Sequence, residues 1–194
     1  MINYPNGKSN STYVELVQDT KYHGGRGISL ETELNDSNAY YLQKDVAVIH
    51  KKPTPVQIVH VDYPSRKKAK ITEAYFKIPS TTDYNGIYKG KYIDFEAKEV
   101  AKTFMPFQNI HPHQIEHLRK VIKHGGIAFI VIAFTKLNEV YLFKATDMID
   151  RYDHPTRKSI SYEDCKKNGY LIKEGYMPRL DYLKVVDEVF FKED

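Results

Sequence analysis

The sequence has little cysteine and no long apolar run, and each shortage excludes a class of protein. Cys165 is the only cysteine in 194 residues, so the chain can form no internal disulfide, and a thiolate zinc site would need ligands from elsewhere. The longest apolar run, Ile127 to Phe134, has eight residues, whereas a membrane-spanning helix needs about 20. The opening residues MINYPNGKSN lack the apolar stretch of a secretory signal peptide. We therefore expect a cytoplasmic protein.

Length and composition fit one globular domain. Hydrophobic residues make up 41% of the chain, which suffices for a single core, and charged residues make up 28%. The net charge of +4 is only moderately basic. Positive charge is concentrated between His50 and Lys70, where Asp62 is the only acid. The candidate phosphate-binding residues in this stretch are Lys51, Lys52, Arg66, Lys67, Lys68 and Lys70.

The same stretch has the pattern of a β-ribbon. Residues 56–63 and 70–78 are rich in β-branched and aromatic types, and the residues between them have the composition of a turn. Prolines at 53 and 55 favour a projecting or edge position because proline cannot donate to a central ladder. The cations at the turn favour DNA contact, although a solvated ribbon edge that blocks aggregation would have the same composition.

The remaining elements are predicted from periodicity and from turn-forming residues. Residues 1–27 are polar and rich in turn formers, which indicates a flexible arm before a domain over 28–194. Asp83 to Gly86 is predicted to be a turn, and Ile127 to Phe134 a strand covered on both faces. Further helices are predicted over 29–42, 113–124, 161–167 and 181–191, and further strands over 45–50, 92–98 and 140–144.

The most informative stretch is TTDYNGIYKGKYIDFEAK, residues 81–98. Side chains alternate along a strand, so Asp94, Glu96 and Lys98 should share one face with Tyr92. Two acids and a lysine on one face are costly to bury unless a cation or a wet cleft receives them. A hairpin could return Asp83 beside this strand. Two carboxylates there could hold a hard cation such as Mg²⁺, and the lysine could steady the reacting phosphate.

Each of these residues also has an ordinary structural interpretation. Asp83 could cap the turn that follows it, and Glu96 and Lys98 could form an exposed charge pair. His111, His113 and His117 could form a zinc site, since the last two are four residues apart on a predicted helix. However, the metalloprotease pattern requires glutamate directly after the first of two such histidines, and Gln114 stands there. Phosphate contacts or helix-end packing are the preferred interpretation of these histidines.

Several long segments together resemble the RecU family of Holliday junction resolvases, within the PD-(D/E)xK nuclease superfamily. The segments are NYPNGK, RGISLE, HKKPTPVQIV, EAYFK, TTDYNGIYKGKYIDFEAK, HPHQIEH and GYMPRLDY, and they cover nearly the whole chain in order. The spacing Asp-x₁₂-Glu-x-Lys alone would be weak support. The resemblance implies an α/β restriction-endonuclease-like fold, a mixed sheet flanked by helices, with a projecting β-ribbon stalk over about 53–80.

The resemblance also implies a site and an activity. Asp83 and Glu96 would ligate Mg²⁺, for which Mn²⁺ would substitute, Thr81 and Gln114 would complete or support the metal site, and Lys98 would stabilise the transition state. A homodimer would make paired symmetric nicks in four-way DNA junctions during recombination and repair, leaving 5′-phosphates. The strand-exchange recombinase and the branch-migration complex are implied partners. Two alternatives stay open: a nuclease acting on linear duplexes, and a non-catalytic protein that binds junctions or modulates the recombinase.

Overall fold

The structure, a computed structural model, describes residues 28–77 and 81–192. The helices in this part of the chain are α1 (Leu30–Gln43), α2 (Pro112–Lys123), α3 (Ala145–Asp153), α4 (Tyr162–Asn168) and α5 (Tyr182–Val186). The strands are β1 (Val48–Lys51), β2 (Val56–Asp62), β3 (Lys70–Phe76), β4 (Tyr84–Tyr88), β5 (Lys91–Val100), β6 (Phe104–Pro106), β7 (Ile127–Phe134), β8 (Glu139–Lys144), β9 (Ser159–Ser161) and β10 (Tyr170–Ile172).

A six-stranded mixed sheet forms the centre of the molecule, in the order β1-β4-β5-β7-β8-β10. Strands β5 and β7 are parallel, and every other neighbouring pair is antiparallel. Parallel neighbours need a crossover connection, and α2 lies within this one. The predicted α/β class, with a mixed sheet flanked by helices, is confirmed.

Helices cover both faces of this sheet and create two apolar cores. On one face α1 and α5 pack over residues such as Phe95 and Phe129. On the other face α2, α3 and α4 pack over residues such as Ile130 and Phe143. All eight residues of β7 are buried because its two faces belong to different cores. The predicted doubly covered strand is therefore confirmed, as is β8 beside it.

The predicted turn over Asp83 to Gly86 is wrong, because Tyr84 begins strand β4. Gly86 pairs with Ile49 across β1 and β4, and a Cβ atom on Gly86 would lie 2.0 Å from the Val48 carbonyl oxygen. The glycine therefore permits a close approach of two strands. The chain reverses later, between β4 and β5, where Gly90 has a φ of 73°.

The start of α1 agrees with the prediction, whereas some other elements were not predicted. Ser29 caps α1 as predicted, its hydroxyl accepting from the Thr32 N–H at 3.2 Å. The helix predicted over 181–191 is α5 followed by a π-helical turn over Asp187–Phe191. Helix α3 and the three-residue strands β6, β9 and β10 were not predicted. The predicted arm, residues 1–27, and the end of the predicted ribbon, residues 78–80, lie outside the described residues.

Strands β2 and β3 form a separate two-stranded antiparallel sheet, hereafter the ribbon, residues 56–76. Every residue of both strands is exposed. The prediction of a ribbon with a basic turn is confirmed, since Arg66, Lys67 and Lys68 lie in the connecting turn. Among the helices of residues 28–77 and 81–192, none is both long enough and apolar enough to cross a membrane.

Candidate active site

Strand β5 carries a row of polar side chains on one face of the sheet. It is the third strand of six and is paired on both sides. Because side chains alternate, Ile93 and Phe95 join the core beneath α1 and α5. The opposite face carries, as predicted, Tyr92, Asp94, Glu96 and Lys98. Two carboxyl groups are thereby placed in the middle of a sheet, where acids are rarely found.

Glu96 lies at the centre of this row and is only 1% exposed. The Lys98 ammonium donates to Glu96 Oε1 at 2.6 Å, and the lysine side chain is itself 18% exposed. The other oxygen, Glu96 Oε2, has no hydrogen-bond partner among the described residues. Burial raises the pKa of Glu96 to about 7, although Lys98 acts to lower it. Glu96 is buried and Lys98 is only partly exposed, so an exposed charge pair is the wrong description of them.

Asp83 brings a second carboxyl group to Glu96. It directly precedes β4, which pairs with β5 in a register that aligns Tyr84 with Phe95. The negative charge of Asp83 also raises the pKa of Glu96, because two nearby carboxylates repel. Ionised carboxylates only accept hydrogen bonds, so these two groups can share one only when one of them is protonated, which also favours a raised pKa for Glu96. The structure thus brings together the predicted catalytic residues Asp83, Glu96 and Lys98.

Asp94, two residues earlier on the same face, has very different surroundings. Its side chain is fully buried, and Oδ1 accepts from the Thr82 hydroxyl. Three further groups lie within hydrogen-bonding distance of Oδ2: the Lys52 ammonium at 2.9 Å, the Tyr92 hydroxyl at 2.8 Å and His117 Nε2 at 3.0 Å. This carboxylate has four partners, and three of them come from outside β5.

Helix α2 brings histidines close to the row, with His117 near Asp94 and His113 near Lys98. His113 Nε2 is buried without a hydrogen-bond partner among the described residues. Burial lowers the pKa of His113, and His111 and Lys98 lower it further by charge repulsion. The His113 ring therefore favours its neutral form near Lys98.

Comparison of the sequence with known proteins identifies the family of this chain. Residues 25–188 match the family model RecU, described as "Recombination protein U". The chain belongs to the RecU family. The protein named Holliday junction resolvase RecU from Bacillus cytotoxicus is 54% identical over 198 residues, covering 98% of each chain. Its namesake in Bacillus thuringiensis is 54% identical over 200 residues, again covering 98% of each.

A solved structure is also similar to this RecU-family chain, at a lower level. It is Hjc from Archaeoglobus fulgidus, described as a Holliday junction resolvase. The match has 13% sequence identity and a TM-score of 0.43, and it covers 69% of this chain and 88% of Hjc. The sequence relatives establish the family without it.

The donors in this RecU-family site fit a hard divalent cation. Asp83 and Glu96 supply carboxylate oxygens, and the unpartnered Glu96 Oε2 is a buried acceptor that a cation would satisfy. Within residues 28–77 and 81–192, no three His, Cys, Asp or Glu side chains converge as a metal cage. A two-carboxylate site suits Mg²⁺, which keeps several of its waters and rarely takes an all-protein cage. The alternative of a histidine zinc site, which the sequence already disfavoured, gains no support, because His117 contacts Asp94 and the His111 and His113 rings stack 5.4 Å apart.

Thr81 and Gln114, which the family pattern predicts to complete or support the metal site, both form hydrogen bonds with the backbone. Gln114 is buried, and its Oε1 accepts from the His111 N–H at 2.9 Å, which closes the first turn of α2. The Thr81 hydroxyl contacts the Thr82 carbonyl at 3.4 Å. The structure brings Thr82 to the acidic row through its bond to Asp94. Direct ligation by Thr81 and Gln114 stays a prediction.

The six basic residues predicted to bind DNA fall into two groups. Lys51 pairs with Glu31, and the Lys52 ammonium is occupied by Asp94 and Thr82. The other four are exposed on the ribbon, and no ion pair within the described part of the chain neutralises them. These four are Arg66, Lys67, Lys68 and Lys70.

Sequence reasoning missed the partners of Asp94, although it placed Asp94 on the correct face. Thr82 and His117 contact it from different parts of the chain, and Lys52 was interpreted only as a phosphate contact. Alternation along a single strand identifies a face but not the residues that other elements bring to it. The one available signal was Asp94 itself, an acid in a strand whose neighbours are apolar.

Proposed function

We propose that this chain is a Holliday junction resolvase, a metal-dependent endonuclease that cuts four-way DNA junctions with Mg²⁺ during recombination and repair. The observation that carries the proposal is the pairing of Asp83 with Glu96, whose Oε2 lacks a partner beside Lys98. Family membership supports the substrate, because the curated relatives are named as resolvases of Holliday junctions.

The residues of the site would divide the chemistry between them. Hydrolysis joins a water oxygen to the scissile phosphorus and breaks the bond to the 3′ oxygen, which takes a proton as it leaves. The products carry a 5′-phosphate and a 3′-hydroxyl. Asp83 and Glu96 would hold the metal, with Thr81 and Gln114 completing or supporting its site, and Lys98 would offset the negative charge that develops on the phosphate. When bound, Mg²⁺, or Mn²⁺ in its place, would lower the pKa of the attacking water.

DNA binding is assigned chiefly to the exposed cations of the ribbon. Four of them, Arg66, Lys67, Lys68 and Lys70, lie at or next to its turn and are exposed. Contacts of this kind release condensed counterions, so junction affinity should fall steeply with salt. Lys51 belongs to the same basic stretch and could exchange its partner Glu31 for a phosphate, because both side chains are substantially exposed.

A homodimer is proposed because the ribbon exposes apolar side chains that a second copy could cover. Phe76 is 83% exposed, and Val56, Ile58, Ile71 and Tyr75 are also exposed. Such a concentration of exposed apolar residues is typical of an interaction surface. A two-fold dimer would present two cutting sites to a junction of matching pseudo-symmetry, which gives two symmetric nicks. We also propose action in the cytoplasm, with the strand-exchange recombinase and the branch-migration complex as partners.

The test is cleavage of a labelled mobile four-way junction and of a matched linear duplex, each with Mg²⁺ or EDTA. Native chain is compared with Glu96→Gln and with Glu116→Gln, which neutralises an exposed acid on α2. We expect paired symmetric nicks in the junction from the native chain and from Glu116→Gln. EDTA or Glu96→Gln should abolish them while junction binding persists.

Two results would contradict the proposal. Junction binding without cutting under any divalent metal would indicate a non-catalytic junction-binding protein. Equal cutting of the junction and the linear duplex would indicate a general nuclease.

A further inference from the structure

Lys52 lies where the ribbon meets the acidic row. Strand β1 ends at Lys51, and β2 begins at Val56. Lys52 is therefore the first residue of the link that leads from the central sheet into the ribbon. It is one of six cations that the sequence assigns to phosphate binding, yet its side chain is only 19% exposed.

The backbone and the side chain of Lys52 both contact the segment that carries Asp83. The Lys52 N–H donates to the Asp83 carbonyl oxygen at 2.7 Å. The Lys52 ammonium donates to Thr82 Oγ1 at 3.0 Å and to Asp94 Oδ2 at 2.9 Å. Thr82 in turn donates to Asp94. Lys52 thus fixes both the main chain of Asp83 and the side chain of the preceding residue, Thr82.

The other side of Asp83 is also held firmly. Tyr84 is buried, and its ring stacks on Phe95 with centroids 4.8 Å apart. Asp83 is therefore placed between two anchored residues, and its carboxyl group reaches Glu96. Lys52 provides the anchor on the amino-terminal side.

The contact depends on the positive charge of Lys52. Asp94 is fully buried, and an unpaired carboxylate there would be costly. Lys52 contributes an ammonium group to it and His117 a ring nitrogen, whereas Thr82 and Tyr92 contribute neutral hydroxyls. A cation engaged in this way has little capacity left for a DNA phosphate.

We propose that Lys52 is a positioning residue for the metal ligand Asp83, and that it contributes little to junction affinity. The inference rests on the proposed function, because it takes Asp83 as a ligand of the catalytic metal. Groups that orient metal ligands typically change metal affinity or activity about 10- to 100-fold when they are removed. The contacts of Lys52 with the Asp83 main chain and with Thr82 make it a group of this kind.

The experiment compares Lys52→Met, which keeps the length of the aliphatic chain, with Lys52→Arg and with Lys67→Met. Lys67 is the matched control because it is an exposed lysine in the turn of the ribbon. Three quantities are measured: Mn²⁺ affinity without DNA by titration calorimetry, junction affinity in EDTA by fluorescence anisotropy, and the Mg²⁺ concentration that gives half-maximal single-turnover cutting.

We expect Lys52→Met to weaken Mn²⁺ binding and to raise the Mg²⁺ requirement by about tenfold or more, with junction affinity nearly unchanged. Lys52→Arg, which keeps the charge, should recover part of the metal affinity. Lys67→Met should show the opposite pattern, with weaker junction binding and an unchanged Mg²⁺ requirement.

Loss of junction affinity in Lys52→Met with an unchanged metal requirement would overturn the proposal and make Lys52 a phosphate contact. Unchanged values of all three quantities would overturn it as well. If Lys52→Met does not fold, Thr82→Val removes a hydroxyl that joins Lys52 to Asp94 and should weaken Mn²⁺ binding in the same direction. If the native chain binds Mn²⁺ but cuts no junction, the proposed function fails, and the calorimetry still tests the role of Lys52.

Discussion

Asp94 and Glu96 are two buried acids on the same face of the same strand, and their surroundings give them different roles. Asp94 accepts from Thr82 and lies within hydrogen-bonding distance of Lys52, Tyr92 and His117. Glu96 has one partner, Lys98, and a second oxygen without any among the described residues. If Glu96 is the metal ligand proposed above, burial alone does not define a metal-binding acid. The criterion is an acceptor that the rest of the protein leaves unsatisfied.

The two acids should also contribute to stability with opposite signs. The Asp94 network satisfies its carboxylate, so removing that charge leaves buried donors without an acceptor. Glu96 is placed near Asp83, and the charges of these two carboxylates repel. A functional site of this kind is maintained at a cost in stability. Substitutions at or near each acid can therefore separate the two roles.

The largest expected effect is the loss of cutting in Asp83→Asn. This change removes one proposed metal ligand, and we expect the single-turnover cutting rate to fall by about a thousandfold. Thermal unfolding should show an unchanged or higher midpoint, because the charge that opposes ionised Glu96 is gone. If Asp83→Asn cuts normally, or if it unfolds at a much lower temperature, then the acids around Glu96 do not differ from Asp94 in role.

The next effect is a loss of stability in Asp94→Asn. The amide cannot neutralise Lys52, which is largely buried, and we expect the free energy of unfolding to fall by about 3 kcal/mol. Urea denaturation checks this value, with Glu116→Gln as the surface control. A loss below about 0.5 kcal/mol, the range of ordinary surface changes, would mean that the network around Asp94 is not structural.

A third effect is a pH dependence that belongs to Glu96. Burial raises the pKa of Glu96 from 4.5 to about 7 in the folded chain. Folding therefore favours the protonated form. The resulting stabilisation is complete below about pH 4.5 and is lost as the pH rises through about 7, by on the order of 3 kcal/mol without metal.

The difference in unfolding free energy between the native chain and Glu96→Gln, measured from pH 4 to pH 8, isolates this contribution. Most other titrating groups are common to both chains and should nearly cancel. Mg²⁺ should move the midpoint of the native chain to lower pH, because metal and proton compete for the same carboxylate. A difference that does not vary with pH would show that Glu96 is not protonated in the folded state.

The smallest effect concerns residues that touch neither acid. Lys68→Ala on the ribbon should lower the slope of log affinity against log salt by about 0.9 if one phosphate contact is lost. Its Mg²⁺ requirement for cutting should stay unchanged. Junction affinity is measured by anisotropy over a series of salt concentrations. An unaltered slope would mean that Lys68 contacts no phosphate and only solvates the edge of the ribbon.

Sequence patterns predicted the acidic row well because the row depends on a single strand. Alternation placed Asp94, Glu96 and Lys98 on one face, and the structure agrees. The same patterns failed at Asp83 to Gly86, where Asn85-Gly86 has the composition of a turn. The glycine is required there by β1, whose backbone approaches too closely for a side chain. That requirement comes from a distant segment and leaves no local signal.

The remaining differences have the same physical origin. Strands of three residues, such as β6 and β10, are shorter than any period that can be recognised in a sequence. The division of the basic residues between the ribbon and the Asp94 network depends on where the chain folds back, since Lys52 and Lys67 are the same residue type in one basic stretch. Tertiary contacts decide which cation is available to DNA.

The position of β5 in the sheet also bears on the stage of folding at which the acidic row can form. The ribbon is a local hairpin, since Asp62 pairs with Lys70. Glu96 pairs with Ile130 on parallel β7, a contact between residues far apart in sequence. Non-local contacts of this kind form slowly because the closure of a long loop comes first. A growing or partly folded chain therefore lacks the buried environment of Glu96, and the ability to cut DNA arrives only with the completed sheet.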